Sequence, residues 1–205
     1  TYWTIAHLKW LKTLELSALQ RETLDEYLLT YEYLTEKISR FDERIEELAS
    51  AERYKEKVKH MSCLIGIKTH TALSMIVEVG DFERFEKAPK FASFLGLVPS
   101  EDSSDARVNR YSITKAGNCH LRRLLVEAAQ SYTRGNVGHK SMALKQRQKR
   151  NSPEVIAHAD KASERLRRRF YKMTLKKGVN RNVATTAIAR ELACFIWGMM
   201  TEHVS

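Results

Sequence analysis

The chain has 205 residues and a formal net charge of +10 at pH 7, with 35 Lys and Arg against 25 Asp and Glu. This length allows one large domain or two small ones with a buried core, and the basic excess indicates a polyanionic partner, nucleic acid first. Three scattered cysteines without metal-ligand spacing argue against a zinc site and against a disulfide-rich secreted protein: Cys63, Cys119 and Cys194.

The first third of the chain predicts helices. Apolar residues between Tyr2 and Leu16 predict a short helical segment. After it, eight apolar residues follow one another in alternating steps of three and four: Leu24, Tyr27, Tyr31, Leu34, Ile38, Phe41, Ile45 and Leu48. This seam predicts one long helix over residues 24–48 that pairs with another helix, and it should end or bend after Leu48. The partner is either a helix of the same chain or a second copy, and the charged flanks favour self-association.

Residues 61–98 predict a helix, a tight turn, a second helix, a loop and a short helix. The turn contains Gly66 and Lys68, and the second helix should run over residues 69–79. A glycine turn before a helix N-terminus exposes backbone N–H groups that can hold a phosphate. This pattern is similar to a helix-hairpin-helix DNA-binding element, although buried helical turns also use glycine.

Residues 99–118 are polar and predict an irregular loop before a helix that begins near Leu121. Serines followed by several cations and a helix start are a pattern that can hold a nucleophile against a phosphate. An exposed connecting loop explains the same residues. The polar and cationic residues of interest are Ser103, Ser104, Arg107, Arg110, Lys115 and Asn118.

The second half of the chain carries the basic excess. Residues 101–180 contain nineteen basic and seven acidic residues, a balance of +12, whereas residues 1–60 are slightly acidic. The run Arg167, Arg168 and Arg169 is the densest part, and we interpret it as a nucleic-acid surface rather than a solvated helix face. Residues 184–200 are interrupted by Arg190 and Glu191, so they predict a core helix and not a membrane span. The cysteine pattern and the lack of a visible signal peptide favour a cytoplasmic location.

Low proline content and long periodic stretches predict a mainly α fold. We expect a helical, coiled-coil segment over residues 1–60 and a second domain over residues 61–205.

Several stretches in fixed order resemble a known family. They are residues 66–72 (GIKTHTA), residues 78–85 (EVGDFERF), residues 91–99 (FASFLGLVP), Ser103-Ser104, residues 113–118 (ITKAGN), Leu121-Arg122 and residues 187–190 (AIAR). Together they span most of residues 60–200. The family is that of insertion-sequence transposases that join a RuvC-like DEDD domain, a coiled coil and a C-terminal transposase domain with a catalytic serine. These are bridge-RNA-guided recombinases.

The resemblance implies a DNA transposase in which Ser104 attacks a phosphodiester and forms a phosphoserine–DNA link, with Ser103 as the second choice. Lys115 and Arg122 are the candidates for holding the phosphate oxygens, with Asn118 and Arg123 behind them. It further implies that Mg²⁺ is held by the DEDD domain, that a guide RNA is a partner, and that the coiled coil makes a homo-oligomer. The DEDD domain is expected to lie outside this chain, so this part alone should be nearly inactive. Asp105 stands where the family usually has Gly.

Three alternatives compete with this interpretation. The first is a non-catalytic helix-hairpin-helix module that binds DNA. The second is a metal-dependent nuclease that uses Glu78 and Asp81, which lie three residues apart. The third is a structural coiled-coil adaptor, which leaves the basic half unexplained. Tyr111 lacks the His and Arg residues of a tyrosine recombinase, and we interpret it as a packing residue.

Overall fold

In the computed structural model, the backbone is described for residues 3–104 and 107–202, and the side chains for residues 3–100 and 112–202. Within these ranges the elements are, in chain order, α1 (Ile5–Thr13), α2 (Ala18–Ala49), α3 (Glu52–Met61), α4 (Thr69–Val79), α5 (Ala88–Phe94), β1 (Pro99–Ser104), β2 (Arg107–Ile113), α6 (Cys119–Gln130), α7 (Met142–Gln148), α8 (Pro153–Tyr171), a π-helical turn (Lys172–Lys176) and α9 (Arg181–Met200). The predicted mainly α class is confirmed.

The chain divides into two compact units, Thr1–Arg44 and Ile45–Ser205. In the first unit, the ring of Trp3 stacks on Tyr31 with 5.2 Å between ring centroids. The guanidinium of Arg21 donates to the carbonyl oxygens of Leu11 and Leu14. These contacts hold α1 and the following loop against the first part of α2, because they satisfy carbonyl groups near the end of α1.

The predicted long helix is confirmed by α2, which extends the prediction by six residues at its N-terminal end. α2 ends at Ala49 and α3 begins at Glu52. The helix therefore ends directly after Leu48, where the apolar spacing predicts an end or a bend. Five seam residues are exposed in this chain, four of them with 49% or more of their surface accessible and Leu48 with 37%; the four are Tyr27, Leu34, Ile38 and Phe41. The pairing of this seam with another helix stays a prediction.

The core of the second unit is built around α9, which contacts α3, α5, α6 and α8. Ala184, Ile188 and Leu192 are fully buried along it. By length and composition alone α9 is apolar enough to cross a membrane, but 56% of the apolar window is buried inside the structure. It is therefore a core helix, as predicted. Val58 and Met61 of α3 also belong to this core, so α3 packs with the second unit.

Side-chain caps fix the start of four helices in this unit. Asn118, Ser141, Ser152 and Asn180 each accept a hydrogen bond from a backbone N–H of the first turn of α6, α7, α8 and α9. Such caps satisfy N–H groups that have no partner within the helix. The cap at Asn118 matters for the site, because only residues 114–118 connect the hairpin to α6.

Candidate nucleic-acid interface

The segment predicted as an irregular loop contains a two-stranded hairpin. β1 pairs antiparallel with β2, with Pro99 opposite Ile113 and Ser104 opposite Arg107. The loop prediction is wrong over these strands because β1 (PSEDSS) has none of the β-branched or aromatic residues typical of strands, and its pairing depends on backbone hydrogen bonds. The side chains of several predicted site residues lie outside the described residues: Ser103, Ser104, Arg107, Arg110 and Tyr111.

The base of the hairpin is fixed by Lys115 and Arg122. The backbone N–H of Lys115 donates to the carbonyl oxygen of Gly96 over 3.2 Å, and Nη1 of Arg122 donates to the carbonyl oxygen of Leu95 over 3.1 Å. Lys115 has a φ of +55°, a left-handed conformation that non-glycine residues seldom adopt. Its own side chain is exposed. Arg122 therefore has a structural task at this end of the hairpin.

Ser104 lies at the opposite end of the same hairpin. Five residue steps separate it from Pro99 along β1, which corresponds to about 17 Å at the usual rise of a strand. Lys115 and Arg122 contact Gly96 and Leu95, which precede Pro99. The structure therefore brings Lys115 and Arg122 together at the base and does not bring them to the end where the backbone places Ser104.

Glu78, near the end of α4, contacts the N-cap residue of α6 and one residue of its first turn. Its carboxylate accepts a hydrogen bond of 2.7 Å from Nδ2 of Asn118 and contacts Nδ1 of His120. Oδ1 of Asp81 accepts from the backbone N–H of Glu83. No group of three or more His, Cys, Asp or Glu that could hold a metal ion occurs among the described residues. The nuclease interpretation based on Glu78 and Asp81 therefore has no support among the described residues. Asn118 caps α6 and connects it to α4 through the hydrogen bond to Glu78.

The predicted turn and second helix after α3 are confirmed, since α4 spans Thr69–Val79. Gly66 has a φ of +80°, and a Cβ at this position would overlap the carbonyl oxygen of Ala128 and lie 2.9 Å from Oγ of Ser131. Glycine is required here for its conformation and for close packing against α6. Lys68 and Arg123 are exposed and available to a partner. Whether this turn binds DNA as a helix-hairpin-helix element stays a prediction.

Part of the predicted basic surface lines a cavity of about 540 Å³ beside the π-helical turn. One carboxylate, Glu191 of α9, lies in it and pairs with Arg165 and with Arg169, the latter at 3.1 Å. We call it the Glu191 cavity, and its lining cations are Arg165, Arg168, Arg169, Lys172 and Lys177. The cations outnumber the single acid, so the cavity is suited to a polyanion. Arg168 and Arg169 are exposed, as the predicted surface requires.

Arg167 differs from its two neighbours, because it is buried with 6% of its surface accessible. Its Nη1 donates to the carbonyl oxygens of Asn136, over 2.6 Å, and His139, over 2.9 Å. A guanidinium committed to holding this loop does not belong to an exposed basic surface. Arg167 is therefore not part of the exposed surface of Arg168 and Arg169, and contact between Arg167 and nucleic acid stays a prediction.

Comparison with known proteins shows that this chain is similar to transposases. Residues 59–143 match the family described as "Transposase IS116/IS110/IS902 family". The chain is 38% identical over 143 residues to the putative transposase y4qE of Sinorhizobium fredii, covering 69% of this chain and 36% of that relative. It is 30% identical over 179 residues to the transposase for insertion sequence element IS1533 of Leptospira borgpetersenii, covering 86% and 51%.

A third relative is the transposase for insertion sequence element IS1111A of Coxiella burnetii. It is 30% identical over 158 residues, which cover 77% of this chain and 36% of the relative. The chain thus matches between about a third and a half of the length of these curated relatives.

Proposed function

We propose that this chain handles and rejoins DNA during the movement of an insertion sequence, because residues 59–143 match the transposase family described as IS116/IS110/IS902. The observation that carries the proposal is that the family match, residues 59–143, includes the whole hairpin with Ser104 and the cap of α6. The basic excess of residues 101–180 supports it, because phosphate groups are the main partners of such surfaces.

Ser104 is the proposed nucleophile. A bond forms between its Oγ and the phosphorus of a DNA phosphodiester, and the bond from phosphorus to the leaving sugar oxygen breaks. The serine proton passes to a base, and the leaving oxygen takes up a proton. The phosphoserine–DNA link preserves one phosphoester bond, so a second DNA hydroxyl can later attack it and release the serine. Serine needs activation for such an attack.

The backbone register changes the proposed roles of the cations. Arg107 lies directly opposite Ser104 in the hairpin, so it replaces Lys115 and Arg122 as the candidate that offsets charge on the attacked phosphate. Arg122 instead acts as a positioning residue, because its bond to the Leu95 carbonyl oxygen holds the base of the hairpin.

The remaining components are proposed to come from the rest of the assembly. The described residues contain no group of three or more His, Cys, Asp or Glu that could hold a metal ion. Mg²⁺ would be held by a RuvC-like DEDD domain outside these 205 residues, and a guide RNA would select the DNA. A second copy of this chain would cover the exposed seam of α2, because the seam has regular three–four spacing and charged flanks.

Trapping the covalent adduct tests this proposal. The full-length enzyme, with guide RNA and Mg²⁺, is incubated with nicked DNA and resolved on a denaturing gel. Ser104→Ala should abolish the protein–DNA adduct, whereas Ser103→Ala should leave most of it. An adduct that persists in Ser104→Ala, or that disappears only in Ser103→Ala, would identify another nucleophile. DNA binding without any adduct in the wild-type enzyme would favour the non-catalytic DNA-binding module.

A further inference from the structure

A second basic cavity, of about 300 Å³, lies between the turn after α3, the C-terminal end of α6 and the start of α7. It shares no lining residue with the Glu191 cavity. We call it the Arg147–Arg167 cavity. It is lined by Ile65, Gly66, Lys68, Ser131, His139, Ser141, Ala143, Leu144, Arg147 and Arg167.

The charges of this cavity have one sign. Lys68, Arg147 and Arg167 are cationic, His139 adds an imidazole, and no carboxylate occurs among the described residues that line it. The Glu191 cavity differs, since its lining contains an acid that pairs with two of its arginines. A concave site with several cations and no acid concentrates positive potential and attracts an anion.

The burial and hydrogen bonding of Arg167 favour an anion as the ligand of this cavity. It is 6% exposed, and Nη1 is its only nitrogen with a hydrogen bond given by the described residues, to two carbonyl oxygens. Its Nε is buried and has no hydrogen-bond partner among the described residues. No carboxylate of the described residues pairs with it. A buried guanidinium without a counter-charge is costly, and an anion in the cavity would offset that cost.

The neighbouring titratable groups do not supply this counter-charge. Burial raises the pKa of the Tyr132 phenol, despite the opposing influence of Arg167. Burial raises the pKa of the Cys63 thiol to about 11, although Arg147 opposes the shift. Both groups are therefore neutral at physiological pH. Asp160 is committed elsewhere, because it pairs with Lys140 at 2.5 Å.

Arg147 is the second arginine that lines the cavity. It is half-buried, and its Nε donates to the carbonyl oxygen of Ser62 over 3.0 Å. Burial lowers the pKa of its guanidinium, yet an arginine stays charged at neutral pH. Two arginines and a lysine thus line one small cavity, and the hydroxyls of Ser131 and Ser141 add polar groups that can donate to an anionic oxygen.

We propose that the Arg147–Arg167 cavity binds a single phosphate group, with Arg147, Arg167 and Lys68 as its cationic ligands. Phosphate suits the site because its several oxygens can accept charge-assisted hydrogen bonds from two arginines and a lysine at once. The source of the phosphate is a DNA backbone, and this choice alone rests on the proposed function. The cavity would hold the strand at a point distinct from the Ser104 end of the hairpin and from the Glu191 cavity.

The test uses the whole chain and inorganic phosphate as the probe, titrated by calorimetry at constant ionic strength with chloride as the reference anion. Wild type should bind phosphate saturably with one site. Lys68→Gln should weaken binding about tenfold, as loss of one charge-assisted contact does, and Lys90→Gln, at an exposed position of α5, should leave it unchanged. In ¹⁵N-arginine spectra, one Nε–H resonance should shift on titration and should be missing in Arg167→Lys.

A competition arm identifies the source. A short DNA duplex should displace the phosphate and raise its apparent Kd in wild type. Absence of saturable phosphate binding, or equal binding by wild type and Lys68→Gln, would overturn the site. Phosphate binding that DNA does not disturb would overturn the DNA assignment and indicate a free phosphate or phosphorylated small molecule. Ser104 takes no part in these titrations, so they fail or succeed independently of the adduct assay.

Discussion

Nδ2 of Asn118 donates a hydrogen bond of 2.7 Å to the carboxylate of Glu78, although 40 residues separate the two in the chain. The same Asn118 caps α6 through its Oδ1, which accepts from the backbone N–H of Leu121. One side chain therefore links the end of α4, the start of α6 and, through the preceding residues, the base of the hairpin. The backbone N–H of Asn118 also donates to the carbonyl oxygen of Phe94, over 3.1 Å, so Asn118 connects the start of α6 to the end of α5 as well.

Glu78→Gln should destabilise the second unit by about 1 kcal/mol. The substitution keeps the size of the side chain, but it removes the charge that accepts from Asn118 and contacts His120. Equilibrium unfolding in urea measures the difference. The control is Glu86→Gln, at an exposed residue before α5, which should change the free energy of unfolding very little. Equal stability of the two variants would show that the anchor contributes nothing measurable.

Gly66→Ala should be clearly more destabilising than Gly138→Ala. The two glycines have nearly equal φ values, +80° and +81°, so an alanine suffers the same left-handed strain at both, about 1–2 kcal/mol. A Cβ at Gly66 also overlaps the Ala128 carbonyl oxygen, whereas a Cβ at Gly138 has nothing within 4 Å. Overpacking should add about 1–3 kcal/mol at Gly66 alone. Chemical denaturation of both variants compares them, and equal losses would contradict the packing argument.

The helices of this chain were predictable because their apolar spacing is regular. α4 has the predicted bounds, and α2 ends where the seam ends. The hairpin was not predictable in this way, since β1 lacks strand-forming side chains. The contact between Glu78 and His120 leaves no local pattern either, because it joins positions 42 residues apart.

The burial of Arg167, in contrast, could have been predicted from the spacing of the apolar residues in α8. The buried face of α8 contains Ala159, Ser163, Leu166 and Phe170, and Arg167 follows Ser163 by four residues, which places it on the same face. Composition alone treats the three arginines as equivalent. Helical phase separates Arg167 from Arg168 and Arg169, because it puts Arg167 on the buried face of α8.

DNA binding should fall steeply with salt, and neutralising Arg168 and Arg169 should flatten the dependence. Both residues line the Glu191 cavity and are exposed. Each phosphate contact contributes about 0.9 to the slope of log K against log salt, so Arg168→Gln with Arg169→Gln should reduce the slope by about one to two. Fluorescence anisotropy with a labelled duplex gives the slope. Lys37→Gln with Arg40→Gln removes the same charge from α2 and should alter it less. Equal effects of the two pairs would mean that only net charge matters.

Self-association should depend on the exposed seam of α2. Leu34→Lys with Ile38→Lys places two charges at positions that are 49% and 59% exposed in the single chain. Burying such charges in a helix pair is strongly unfavourable, so the variant should sediment as a monomer at concentrations where wild type associates. Thr35→Lys with Ser39→Lys, one position away from the seam, is the matched control and should still associate. Monomeric behaviour of wild type would remove the proposal of a second copy.

The last prediction concerns the residue that follows the proposed nucleophile. Asp105 follows Ser104 in the sequence and carries a negative charge. The phosphate that Ser104 attacks is also negative, so the two repel each other. The sequence resemblance leads us to expect glycine at this position. Two like unit charges repel by about 1 kcal/mol at 4 Å in water, by less at greater separations, and by more where water is excluded. Asp105→Asn in the full-length enzyme should therefore speed formation of the Ser104–DNA adduct about threefold at low salt, and the gain should shrink as salt screens the charge. Asp105→Gly removes the same charge and also frees the backbone, so the difference between the two variants measures the contribution of flexibility. Asp102→Asn, on β1, is the control and should give a smaller gain. Adduct formation that accelerates in Asp105→Gly but not in Asp105→Asn would show that backbone freedom, and not charge, limits the attack.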